Sequence, residues 1–344
     1  MNQLNNGFTI FLSLLVEAMP FLLLGVLFSS LLLFFVDERK LVKVMPRNPL
    51  LGALFGSMMG VFFPVCECGN VPVARRFLTQ GVPTSVAVGF LLAAPTINPI
   101  VIWSTWAAFG RDQPEIVVLR VVFSLLIATI VGFVFSFQKD LTPIVQPAIA
   151  RYLKFNPAKG EAKGRSFRAG NTLLKSGTYF LGGKAGSSQI IDANAMQETM
   201  TASVSNKPLA DKLGLLLENI VYELRELGAV MILGSAIAAA VQVLAPRDWI
   251  ISLGSGPVSS ITVMLVLAAV VSICSTVDSF FALSFASTFT SGSLLAFLVF
   301  GPMIDIKGVG LMLSIFKPKA IFYLFALAGL ITFLLTLFLN LHVI

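Results

Sequence analysis

Four apolar runs, residues 8–36, 115–137, 227–245 and 319–343, constrain this chain more than any other feature. A bilayer core of about 30 Å needs ~20 apolar residues at helical rise, and each run supplies that or nearly so. In hydrocarbon every backbone N–H and C=O must be satisfied within the segment, so runs of this length without strand-like alternation predict helices. Of all residues 56% are hydrophobic and 12% charged, against roughly 45–50% and 25% in a soluble domain. A soluble enzyme is excluded, and the expected class is an all-α polytopic membrane protein. The first run lacks a positive n-region and a small-x-small cleavage site, and it is too long for a signal core. It reads as a helix of the mature protein.

The formal net charge is +7, yet eleven of the 24 Lys and Arg lie in residues 139–212 with only five Asp and Glu. A basic stretch beside membrane spans is a positive-inside signal and not a nucleic-acid footprint. Residues 139–207 therefore read as a basic cytoplasmic linker, with a middle, 156–207, of disordered composition. Residues 208–226 carry Glu218, Glu223, Arg225 and Glu226 among leucines and read as an amphipathic surface segment leading into a helix.

The sequence also repeats itself. EAMPFLLLG at 17–25 matches ELGAVMILG at 226–234, Pro49 matches Pro257, Cys66 matches Cys274, Asn70 matches Asp278, and Pro95 to Asn98 matches Pro302 to Asp305. One slowly drifting register thus aligns a first repeat, 1–138, with a second, 208–344. Each repeat holds a long helix, an apolar stretch broken by a polar cluster, another broken near Pro and Asn or Asp, and a closing helix. The breaks are CECGN at 66–70, CSTVD at 274–278, PTINP at 95–99 and the run from Pro302 to Lys307. Freed backbone at membrane depth must be buried in protein or line a water-filled cavity. Matched breaks therefore point to a pathway.

Charge selects the topology. If 50–80 and 257–290 are re-entrant hairpins with the cysteine clusters at their tips, the halves are inverted repeats whose broken helices meet at the bilayer midplane. Arg39, Lys40, Lys43, Arg47, Arg75, Arg76, Lys317 and Lys319 then join the linker inside, giving nineteen basic residues inside against Arg111 and Arg247 outside. Eight full spans with parallel halves would move the 37–49 loop and Lys317/Lys319 outside, against the positive-inside rule. Inverted repeats of this kind are a recurrent transporter architecture.

Three cysteines and one histidine exclude a zinc-finger or disulfide framework. All three, Cys66, Cys68 and Cys274, fall at the two matched breaks. Packing is the ordinary role of a single membrane cysteine, but three at equivalent breaks suggest a soft-ligand site for metal ions or trivalent arsenic. Glu67 stands between two of them. Asn70 and Asn98 are matched by Asp278 and Asp305, so the two halves offer the same positions with unequal charge; intramembrane ionisable groups suggest substrate contact, while the alternative is helix capping. Cys66, Glu67, Cys68, Asn70, Asn98, Cys274, Asp278 and Asp305 form the expected substrate-binding set, with Cys66, Cys68 and Cys274 as metal ligands. Glu17 and Glu226 read as braces for the hairpins, Lys307 as a partner of Asp305, and Arg75 and Arg76 as interfacial anchors. No catalytic residues and no cofactor are expected.

The run from Pro64 through Cys66-Glu67-Cys68-Gly69-Asn70 to Pro72, then Gly81 and Ala94 to Pro99, resembles the bacterial predicted-permease family that includes the organoarsenical efflux permeases. Cys274 to Asp278 and Gly301 to Asp305 follow the same pattern in the second half. The resemblance covers both halves but not the linker. It implies an integral permease of about eight hydrophobic elements in the bacterial cytoplasmic membrane, with cysteines contacting a trivalent arsenical in some members, and it favours export. Glu67 stands where the family usually has a small residue and Asn70 where an apolar one is common, and these shift the expected cargo toward a metal cation. The leading expectation is a secondary transporter for a small soft ion or metalloid, working by alternating access without a nucleotide motif. The alternatives are a membrane subunit that needs a companion protein and a membrane thiol oxidoreductase, the latter disfavoured because Cys-x-Cys is not the dithiol spacing of redox catalysis.

Overall fold

The computed structural model describes residues 2–35, 45–46, 48–62, 66–137, 145–146, 209–244, 256–286 and 288–342. The predicted disordered segment lies outside these residues, as do Arg39, Lys40, Lys43, Arg47 and Arg247. Among the described residues there are twelve α-helices, no strands, and one isolated bridge between Val145 and Phe316. Before the linker come α1 (Asn2–Phe35), α2 (Pro49–Met58, prolonged by a 3-10 turn over Met59–Val61), α3 (Glu67–Thr79), α4 (Thr84–Ile97), α5 (Pro99–Phe109) and α6 (Pro114–Ser136). After it come α7 (Leu209–Leu244), α8 (Pro257–Val271), α9 (Asp278–Leu283), α10 (Ser291–Met303), α11 (Ile306–Met312) and α12 (Pro318–His342). The two series run in the same order: long, short, short after the cysteine break, broken pair, long.

Local chemistry sets the boundaries. Pro49, Pro99, Pro114, Pro257 and Pro318 each open a helix, where the missing N–H needs no partner and the fixed φ suits the first turn. Five helical segments are long and apolar enough to cross a membrane: Asn5–Leu31, Thr84–Phe109, Pro114–Ser136, Ser291–Met312 and Pro318–His342. Two of these contain the breaks at Asn98 and Asp305. Helices Pro49–Val61 and Val258–Val271 are shorter. The chain is thus a multi-pass membrane protein, and the exposed Phe8, Val16 and Leu23 of α1, Val118 and Val122 of α6, and Phe322 and Phe338 of α12 form an apolar exterior suited to lipid, not water.

Helices α4 and α10 are buried almost throughout, pack on each other and form the centre. Their neighbours approach through small residues: a Cβ on Gly56 would strike the backbone of Val86, one on Gly60 that of Ala94, and one on Gly25 of α1 that of Gly69 in α3. Small residues let helix backbones approach where dispersion, not water, drives packing.

Corresponding helices also meet across the two series, α1 with α7, α4 with α10 and α6 with α12, while α3 touches α11 as α9 touches α5. The α1–α7 pair is antiparallel: Gly7 lies by Val243, whereas Ser29 donates to Glu223 at 3.4 Å and Asn219 donates to Ser30 at 2.9 Å. The start of α6 (Pro114 to Leu119) and the end of α12 (Leu339) line one cavity of about 160 Å³. At the opposite end the Gln146 amide and side chain donate to Ile315 and Leu313, just before α12. Asn219 and Glu223 are buried against α1, so this part of the expected surface segment is instead an interhelical face.

Candidate functional site

The cysteine break of the first half ends where α3 begins. Cys66 is the extended N-cap residue of that helix and Glu67 its first member. In the second half α8 ends at Ser272, the one non-glycine residue with positive φ (49°) among the described residues. A left-handed Ser is uncommon and marks a place where the surroundings impose the conformation. Its hydroxyl accepts the Ile306 N–H at 3.2 Å, tying the cysteine break to the start of α11. Cys274 follows, its carbonyl accepting the N–H groups of Val277 and Asp278 at 2.9 and 3.0 Å, and Thr276 donates its hydroxyl to the Cys274 sulfur at 3.5 Å.

These two breaks converge. The ligating atoms of Cys66, Glu67 and Cys274 all lie within 4.8 Å of one another, and all three residues are buried. Cys68, buried in the first turn of α3, stands outside this trio, although its thiol remains in reach of Cys66.

Around the trio lies a group of charges drawn from several elements. Lys307 of α11, 1% exposed, is within electrostatic range of Asp305, Glu67 and Glu17, and Glu17 of α1 reaches the Cys274 thiol. One oxygen each of Glu17, Glu67 and Asp305, and Oδ1 of Asn70, is buried without a hydrogen-bond partner. In a low-dielectric interior an orphaned carboxylate oxygen costs free energy.

The other expected site residues divide. Asn98 accepts the Ile100 N–H at 3.0 Å and Asp305 the Gly308 N–H at 2.7 Å, so each caps the helix after its break. Asn70 is inside α3 and donates to the Leu91 carbonyl at 3.3 Å. Asp278 is not with the thiols; it is held by Arg120 of α6.

Arg120 escaped the sequence reading. It is 1% exposed and binds Asp278 bidentately, Nη1 to Oδ1 at 3.2 Å and Nη2 to Oδ2 at 2.6 Å. The same Nη1 donates to Thr105 of α5 at 2.7 Å and Ser279 of α9 at 2.8 Å, while Ser279 also donates to Asp278. The signal was present, since an arginine inside an apolar helix requires a buried partner. Arg75 and Arg76 are also not the expected interfacial anchors: Arg75 pairs with Glu226 at 3.1 Å, and Arg76 is buried near Glu223. The acidic residues of α7 that face α3 draw them inward. Glu226 therefore does brace α3, whereas its counterpart Glu17 joins the thiol cluster.

Comparison with known proteins agrees with this architecture. The chain is 37% identical over 322 residues to "UPF0718 protein YcgR" of Bacillus subtilis (strain 168), covering 94% of this chain and 92% of that protein. It is 32% identical over 322 residues to a Streptococcus mutans protein named as a two-component membrane permease complex subunit, covering 94% and 91%. No solved structure matches. The family described as "Predicted permease" matches residues 3–341, nearly the whole length, and the chain belongs to that predicted-permease family.

Proposed function

We propose that the chain is a secondary transporter that carries a small soft substrate, a metal ion or a trivalent metalloid, through the space between its two halves, in the export direction. The observation that carries this reading is the meeting of Cys66 and Glu67 from one half with Cys274 from the other, ligating atoms within 4.8 Å. A site shared by two repeats is exposed alternately when one repeat rocks against the other. The antiparallel packing of α1 on α7 supports inverted repeats, and the short helices flanking Cys66 and Cys274 support re-entrant hairpins. Residues 1–138 and 208–344 are the two repeats in this reading, with 139–207 as their linker.

Purified protein analysed for bound elements, then reconstituted in liposomes, tests the reading. The expected result is flux of a soft cation or trivalent arsenical that Cys66→Ser and Cys274→Ser each abolish while membrane insertion persists. Wild-type flux in the double variant would reduce the thiols to packing residues.

A second reading has its own support. The Streptococcus mutans relative is named as one subunit of a two-component permease complex, so a companion subunit here is a specific alternative. Liposomes holding this chain alone decide it: flux without a companion removes the need for one.

A further inference from the structure

The donor set at the break is chemically more selective than "soft". We propose that the site takes one divalent soft or borderline cation of the zinc and cadmium class, held by Cys66 Sγ, a Glu67 carboxylate oxygen and Cys274 Sγ, with Cys68 outside the coordination. The inference rests on the transport reading only for the claim that what binds here is cargo.

The first argument is geometric. Around a tetrahedral ion with bonds of about 2.0–2.3 Å, donors stand roughly 3.3–3.8 Å apart. Three ligating atoms already within 4.8 Å of one another need only a modest contraction to reach that arrangement. Three protein ligands also leave a fourth position open, as in sites whose metal exchanges or reacts, while closed four-ligand sites retain it. Mobile cargo calls for the open kind.

The second argument is donor type. Two sulfurs and one carboxylate oxygen form a mixed set that suits zinc or cadmium. The third thiol, that of Cys68, stands outside the trio. Its place is taken by Glu67, 6% exposed, whose Oε2 is buried without a partner.

Cadmium loaded onto the full-length wild-type protein in detergent is the probe. X-ray absorption at the cadmium edge should show one metal per chain with two sulfur and additional oxygen neighbours, a measurement that needs no variant to fold. Cys66→Ser and Cys274→Ser should each weaken the ultraviolet cadmium–thiolate band, and Glu67→Gln should weaken binding, while Cys68→Ser leaves band and affinity unchanged. Three sulfur neighbours, or a Cys68→Ser loss without a Glu67→Gln loss, would overturn the inference in favour of a thiol-only site. Transport of another solute with no cadmium bound would also overturn it while leaving the permease reading standing. Cadmium bound through two sulfurs would support the inference even in a protein showing no flux, in which case the transport reading alone fails.

Discussion

At the scale of single residues, Asp278 and Asp305 are sequence equivalents of Asn70 and Asn98 with opposite tasks. Asp278 neutralises a fully buried guanidinium, so Asp278→Asn strips a charge from the Arg120 pair and leaves the partner uncompensated. Breaking a buried pair from one side costs about 3–5 kcal/mol. Thermal unfolding in detergent should therefore show a large drop for Asp278→Asn, and the double variant with Arg120→Met should recover part of it. Asp305→Asn keeps an oxygen for the Gly308 N–H and should change stability little, since Asn caps about as well as Asp. Sequence alone ranked these two aspartates together because both fall at matched breaks. It could show that Arg120 needs a buried partner, but a partner 158 residues away in sequence is fixed only by the tertiary fold.

At the scale of elements, the breaks were legible because proline, asparagine and aspartate interrupt otherwise apolar runs at matched positions. The structure turns them into helix ends: Asn98 opens α5 and Asp305 opens α11. Asn98→Ala should cost about 1 kcal/mol through the lost cap, read as a lower unfolding midpoint. Harder to read was the phase of the cysteines, since the residue at which α3 begins decides whether Cys66 and Cys68 face one ligand, and nothing in CECGN marks that residue. Close approach of elements was equally silent in sequence. The Cβ of Gly25→Ala would collide with the Gly69 backbone, so α1 and α3 must separate. Overpacking of this kind costs about 1–3 kcal/mol, and because α3 begins at Cys66 and Glu67 the same variant should weaken cadmium binding, measured by the thiolate band, more than Asn98→Ala does.

At the scale of the whole molecule, the internal repeat was visible as a constant offset, while the relative direction of the halves rested on counting lysines and arginines. The α1–α7 packing bears on the same question independently, since equivalent helices that lie side by side in opposite directions suit repeats related by an axis in the membrane plane. In a cysteine-free background, Lys319→Cys should then be labelled by an impermeant maleimide from the cytoplasm and Arg111→Cys from outside. Labelling of both from one side would exclude the inverted arrangement. The two equivalent contacts between halves, α5 on α9 and α3 on α11, are furthermore unequal in strength. The first is bolted by the Arg120–Asp278 pair and its two hydroxyls; the second holds orphaned oxygens and, among the described residues, no direct ion pair for Lys307. A body fastened firmly along one seam and loosely along the other is built to swing like a door, and under the proposed rocking of the halves the seam expected to open is the one that carries the thiols.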